Sequence, residues 1–149
     1  MKISLYVLTI VIGLFMALHL SMNAQVGVVL KNPRMGNALF WVIGAATALI
    51  IALTNWDSTI FSKLKEVHPA LLLAGVIGGM LVFAIAWLIP KLGAGNFMII
   101  MLSGQIIGGL VLSHYGWLGS PVQPVSLVKV LGVLVMLVGV ALATLTKSA

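Results

Sequence analysis

Long apolar runs separated by short polar breaks organise this sequence. Five runs are long enough to cross a bilayer, because a spanning α-helix needs about 20 apolar residues. The runs are continuous, whereas a membrane β-strand alternates apolar and polar residues. We therefore predict an all-α, polytopic membrane protein with one five-helix domain over residues 1–149, whose spans cover about residues 4–30, 36–54, 69–89, 93–112 and 127–146.

The breaks between the runs carry turn signals and charge. The first run stops at residues 31–34, Lys-Asn-Pro-Arg, and the third begins at Pro69, a favoured first helical position. Between the second and third spans, residues 60–67 place apolar side chains at helical spacing. This spacing predicts a short helix at the membrane interface, capped by Asp57 or Ser58.

Composition agrees with a surface that meets lipid. Hydrophobic residues make up 62% and charged residues 7% of the chain, against about 45–50% and about 25% in soluble proteins. Cysteine is absent, which excludes disulfides and thiolate metal sites. The apolar run after Lys2 is typical of a signal peptide, but it continues past Leu18 without a good cleavage site, so we expect a retained helix.

The basic residues are scattered at the ends of the spans and are not clustered into a patch for nucleic acid. This scattering favours contact with lipid headgroups, and no nucleic-acid partner is expected. With the N-terminus inside, the Lys and Arg residues divide evenly into Lys2, Lys63, Lys65 and Lys129 inside and Lys31, Arg34, Lys91 and Lys147 outside. Basic residues set membrane orientation, so an even division predicts that one copy can insert either way.

Polar side chains deep in the spans are candidate substrate-binding residues. An unpaired amide or hydroxyl costs about 2–7 kcal/mol in apolar surroundings, so such groups face protein or a cavity. His19 and Asn23 share one face of the first span, and the fourth span carries Asn96, Ser103 and Gln105. We predict that His19, Asn23 and Gln105 border one pocket near mid-membrane; the alternative is that they only bond helices together.

Small residues at four-residue spacing predict close helix packing in lipid. Gly75 and Gly79 have this spacing in the third span, and Gly104 and Gly108 have it in the fourth. Gly139 begins a weaker version in the fifth span. We expect these helices to have protein neighbours.

The absence of certain groups also limits function. Asp57 and Glu66 are the only acids and share one loop, so no carboxylate is available within a span to carry a proton. His19 is the one titratable side chain deep in a span, where an imidazole can bind substrate or a proton. No phosphate-binding glycine loop, nucleophile–base pair or metal-ligand cluster occurs, so we predict no enzyme activity, cofactor or metal.

Several short motifs, taken in order, resemble the YdcZ-type family of five-span bacterial membrane proteins. They are Pro90-Lys91-Leu92-Gly93, Ser103-Gly104-Gln105, His114-Tyr115-Gly116 and Pro121 to Pro124. The resemblance covers nearly the whole chain and implies a half-length member of the drug/metabolite transporter superfamily. Full-length members resemble two five-helix repeats in inverted orientation.

The resemblance also implies a bacterial inner-membrane location and a partner, which is a second copy of the chain, parallel or antiparallel, or a paralogue. Two positions depart from the family pattern. His19 stands where the family tends to have Gln, and Ser113 stands where it tends to have an acid.

Together these patterns predict a transporter subunit that moves a small, neutral or weakly charged organic molecule by alternating access as a dimer. Two alternatives remain. In a small dual-topology channel, the polar residues would form a continuous row along a pore and would not meet in one pocket. In a non-transporting accessory subunit, partner side chains would fill the face that carries His19 and Asn23.

Overall fold

Helices form nearly all of the regular structure in the computed structural model, which describes residues 2–145. Within this range the α-helices are α1 (Lys2–Val29), α2 (Pro33–Leu53), α3 (Ile60–Leu64), α4 (Pro69–Leu92), α5 (Ala94–Tyr115) and α6 (Leu127–Leu145). All except α3 are long and apolar enough to cross a membrane, and the described residues contain no strand. The prediction of an all-helical protein with five spanning helices is confirmed.

The chain divides after Lys91 into two compact units. The first contains α1 to α4, and α1 packs against α2 within it. The second contains α5, α6 and a short 3-10 turn, Trp117–Gly119, and α5 packs against α6 within it.

Most large apolar side chains in both units point outward. Leu14, Ile50 and Val135 are each more than half exposed, which would be costly in water but suits hydrocarbon. The described residues bury only a small set of apolar side chains, namely Leu20, Ala24, Ala86, Ile89 and Phe97. The helices therefore keep most of their surface available for lipid or for other protein.

The turn between α1 and α2 is a closed C-terminal cap. The N–H of Asn32 donates to the Gly27 carbonyl at 3.1 Å, and the N–H of Lys31 donates to the Val28 carbonyl at 3.0 Å. Lys31 takes the left-handed conformation that this cap requires, with a φ of 50°. The Asn32 side chain then accepts from the Met35 N–H at 3.2 Å and starts α2 at Pro33, before the predicted Gly36.

The other helix ends also differ by a few residues from the predicted spans. The third predicted span ended before Pro90, but α4 continues through Pro90 to Leu92. A proline in the last turn loses only one helical hydrogen bond, so the turn tolerates it. Thr146, the predicted end of the fifth span, and Lys147 lie outside the described residues.

The short helix α3 forms where the sequence predicted it, but its cap differs. Thr59 occupies the N-cap position, and Asp57 accepts from the Thr59 N–H at 2.8 Å and from its hydroxyl at 2.7 Å. The second carboxylate oxygen of Asp57 pairs with Lys63 Nζ at 2.8 Å. The bond from Lys63, followed by the bonds from Thr59, lowers the pKa of Asp57 below its ordinary value.

Candidate functional site

The candidate site lies where α1 and α2 meet. A Cβ atom built on Gly36 would come within 2.9 Å of the backbone N and Cα of Gly27, so the two helices touch backbone to backbone here. On α1 the face that meets this contact is a buried stripe at helical spacing, formed by Leu20, Asn23, Ala24 and Gly27. Asn23 is thus placed on the packed face of α1, one turn before the glycine contact.

Asn23 is buried without being paired. The residue is 4% exposed, and neither its Oδ1 nor its Nδ2 has a hydrogen-bond partner among the described residues. A buried polar group left unsatisfied costs about 1–3 kcal/mol, and helices that use an amide only for packing normally satisfy it. The unpaired amide is therefore available to a partner beyond the contact between α1 and α2.

A cavity of about 580 Å³ adjoins Asn23 along α1 and α2. Its walls include His19 of α1 and Phe40 of α2, whose ring centroids are 5.0 Å apart. Thr47 also lines it, but its hydroxyl already donates to the Ile43 carbonyl at 2.9 Å. The volume falls in the range of small-molecule sites, and both Asn23 amide atoms are buried at its wall, so a ligand reaches them only if the wall moves.

The walls of this cavity are mainly apolar, and the rings of His19 and Phe40 form one part of them. Among the described residues no Lys, Arg, Asp or Glu lines it, and its polar side chains are those of His19, Asn23 and Thr47. Among residues 2–145, no three His, Asp or Glu side chains come together as a metal site would require. The arrangement can hold an apolar body against the His19 and Phe40 rings, and the Asn23 amide can donate and accept hydrogen bonds once the wall moves.

Asn37 is a half-buried amide that the sequence did not identify as a site residue. Its Nδ2 donates to the Gly79 carbonyl of α4 at 3.4 Å, while its Oδ1 is buried with no partner in the described part of the chain. The residue was overlooked because it fell at the predicted start of the second span. An asparagine within an apolar run was the signal that could have identified it.

The predicted site residues fall in both units. His19 and Asn23 line the same cavity of the first unit. In the second unit, Ser103 is buried and its hydroxyl donates to the Ile100 carbonyl of its own helix at 2.6 Å, while Asn96 and Gln105 are exposed. The pairing of His19 and Asn23 in one cavity is thus observed, and the part assigned to Gln105, Ser103 and Asn96 stays a prediction.

The glycines predicted to pack helices face space within their own units. A Cβ atom built at any one of these glycines would meet no atom within 4 Å outside its own helix backbone. The glycines are Gly75, Gly79, Gly104, Gly108 and Gly139. Gly79 nevertheless meets α2 through its backbone, because its carbonyl accepts from Asn37 Nδ2 at 3.4 Å. Packing on the open side of these glycines would require a further helix.

In the first unit, a glycine contact joins Gly27 of α1 to Gly36 of α2. These two glycines lie on different helices, so the four-residue spacing of small residues within one helix does not predict their contact.

Comparison with known proteins places most of the described chain in one family model. The model described as "Putative inner membrane exporter, YdcZ" matches residues 4–142. The match runs from α1 to near the end of α6. Neither the curated proteins nor the solved structures contain a significant match to the chain.

Proposed function

Because this chain belongs to the YdcZ family of multi-pass inner-membrane proteins, we propose that it is a transporter subunit that moves a small organic molecule by alternating access as a dimer. The unpaired amide of Asn23 carries the proposal. An amide that only joined two helices would gain stability from pairing both of its polar atoms. An amide that exchanges partners during a transport cycle is left unpaired in some conformations.

The walls of the cavity support a neutral or weakly charged substrate. Burying an ion without a counter-charge costs several kcal/mol, and the cavity offers no Lys, Arg, Asp or Glu. The rings of His19 and Phe40 favour a substrate with a planar apolar portion. The Asn23 amide favours a polar group that donates and accepts hydrogen bonds together.

The sparse packing of the single chain supports a dimer. Few side chains are buried in the described residues, and the five predicted packing glycines face space within their units. A second copy in inverted orientation would reproduce the two-repeat plan of many transporters. The even division of Lys and Arg favours this antiparallel pairing over a parallel one.

A ligand screen followed by a flux assay tests the function. Purified protein is heated with small neutral metabolites, and compounds that raise its unfolding temperature are tested for exchange in proteoliposomes. Saturable counterflow of such a compound supports a carrier. Flux that does not saturate would instead indicate a channel, and correctly inserted protein without binding or flux would indicate an accessory subunit.

A further inference from the structure

Three cationic side chains gather around one tryptophan, in cavities that share no lining residue with the Asn23 cavity. Lys31 and Arg34, at the turn between α1 and α2, line a cavity of about 350 Å³ that also contains Trp87 of α4. Lys31 and Lys91 line a second cavity of about 320 Å³ that contains the same Trp87. We refer to these two cavities, which share Lys31 and Trp87, as the cationic cleft.

The backbone around the cleft is well determined by hydrogen bonds. The turn that carries Lys31 is closed by the bond from Asn32 to Gly27, and Lys31 itself takes a left-handed conformation that few residues other than glycine adopt. Arg34 lies in the first turn of α2, the end at which the helix dipole favours an anion. The backbone positions of Lys31 and Arg34 at this turn are therefore set by the fold.

The charge of the cleft is not neutralised within the described chain. The one ion pair that the described residues form joins Lys63 to Asp57, beyond the other end of α2. The 21 residues of α2 separate the two ends by about 30 Å. Glu66, the remaining acidic residue, also lies in the loop after α2, so neither acidic side chain of residues 2–145 lies at the cleft end of α2.

Trp87 gives the cleft an aromatic floor. Lys91 Nζ lies 3.2 Å from the centroid of the Trp87 ring, a cation–π contact that holds the ammonium group over the ring. Phe83 lines the Arg34 side of the same floor. The guanidinium and two ammonium groups that line the cleft beside these rings match a ligand with an anionic head and an apolar body.

We propose that the cationic cleft binds a phosphate group, contributed by an anionic lipid headgroup or by a soluble phosphate. The cleft lies at the ends of α1, α2 and α4, which is the level of the headgroups when these helices cross the bilayer. There the phosphate would contact Arg34 and Lys31, and the glycerol and upper acyl chain of a lipid would cover Trp87. This site is independent of the substrate that the Asn23 cavity takes.

Native mass spectrometry of the purified protein tests the site. The protein is titrated with phosphatidylglycerol, with phosphatidylcholine as the neutral reference, and we expect wild type to retain phosphatidylglycerol preferentially. A Lys or Arg that lies beside a bound anionic headgroup contributes about fivefold to its binding. The double variant Lys31→Gln/Arg34→Gln should therefore lose about 25-fold in phosphatidylglycerol affinity.

A matched control comes from the other end of α2. The double variant Lys63→Gln/Lys65→Gln removes two cations that do not line the cleft, and we expect its affinity to stay within about twofold of wild type. Equal losses in the two double variants would overturn the proposal, because they would mean nonspecific charge attraction. Circular dichroism checks that the Lys31→Gln/Arg34→Gln protein is folded. If it is not, the single variant Lys91→Gln replaces it, and its phosphatidylglycerol affinity should fall about fivefold.

Inorganic phosphate distinguishes the two sources. Displacement of phosphatidylglycerol by millimolar phosphate supports a soluble phosphate as the ligand, and resistance to displacement supports the lipid. Equal retention of phosphatidylglycerol and phosphatidylcholine by wild type, with no phosphate binding, would refute the proposal.

Discussion

Gly36 of α2 lies against Gly27 of α1, where a Cβ on Gly36 would come within 2.9 Å of the Gly27 backbone. Backbone atoms cannot rotate away as the end of a side chain can, so this contact fixes the separation of the two helices. Asn23 lies one turn from Gly27 on the same buried face. The shape of the candidate site therefore depends on two glycines, which have no side chain of their own to offer a substrate.

Replacing Gly36 with alanine should separate α1 from α2 and destabilise the protein. Overpacking a tight contact costs about 1–3 kcal/mol, which exceeds the helix-propensity gain of up to about 1 kcal/mol from alanine. Thermal unfolding in detergent measures the difference. Gly44→Ala is the matched control, because a Cβ there meets nothing within 4 Å, and Gly44→Ala should be neutral or slightly stabilising. Equal stability of the two variants would contradict the close contact.

The five spanning helices could be predicted because the length and polarity of each run determine them. The second span is predicted to begin at about Gly36 because Lys31-Asn32-Pro33-Arg34 is a turn signal flanked by charge. In the structure, the Asn32 cap and Pro33 begin α2 within this segment. An Asn-Pro pair suits both a turn and a helix start, so the pair alone does not distinguish the two.

The site was only partly predictable because pairing between helices is not a property of one helix. The shared face of His19 and Asn23 follows from helical periodicity, and both residues line one cavity. The contact between Gly27 and Gly36 depends on how two helices cross, which a spacing rule within one helix does not describe. Asn37 donates to the carbonyl of Gly79, which is a backbone group. Every residue has such a carbonyl, so the sequence pattern does not show which one Asn37 binds.

Replacing Asn23 with leucine should raise stability and abolish substrate binding. The change removes two unpaired buried polar atoms, and relieving them should raise the free energy of unfolding by about 1–3 kcal/mol. Thermal unfolding and a binding titration measure the two effects separately. Ser21→Ala serves as the control, because the Ser21 hydroxyl bonds the Ala17 carbonyl of its own helix at 2.8 Å. Retained binding by Asn23→Leu would eliminate Asn23 as a ligand-binding group.

The loop before α3 should lose local stability only at acidic pH. The Asp57 pKa is lowered first by Lys63 and then by Thr59, so its carboxylate stabilises the folded loop above the ordinary pKa of 3.8. That contribution is lost as the pH falls through the lowered value. Carbon-13 labelling of aspartate gives a signal from the single Asp57, whose titration midpoint should lie below 3.8 and rise in Lys63→Gln. A midpoint at or above 3.8 in wild type would show that the ion pair does not form.

Single copies of the chain should insert in both orientations. The Lys and Arg residues divide evenly between the two ends of the predicted spans, which leaves basic charge without a directional bias. Terminal tags on the unmodified protein should report both sides of the membrane in cells, and two or three added Lys residues in one set of loops should select one side. Tags that always report one side would exclude antiparallel self-pairing and require a parallel dimer or a paralogous partner.

Replacing His19 with alanine should weaken substrate binding, because its ring lines the cavity beside Phe40 and Asn23. His19→Gln is the matched variant, since it keeps a hydrogen-bonding side chain of similar length and removes only the ring. Loss of binding in both variants assigns the contact to the ring, whereas loss in His19→Ala alone assigns it to a hydrogen bond. Asn23→Ala and Gln105→Ala should also weaken binding, because each removes an amide that can bond a polar group of the substrate. Counterflow in proteoliposomes from matched preparations, at saturating and limiting substrate, measures all four variants. Unchanged counterflow in both His19 variants would leave His19 as a wall of the cavity that the substrate does not contact.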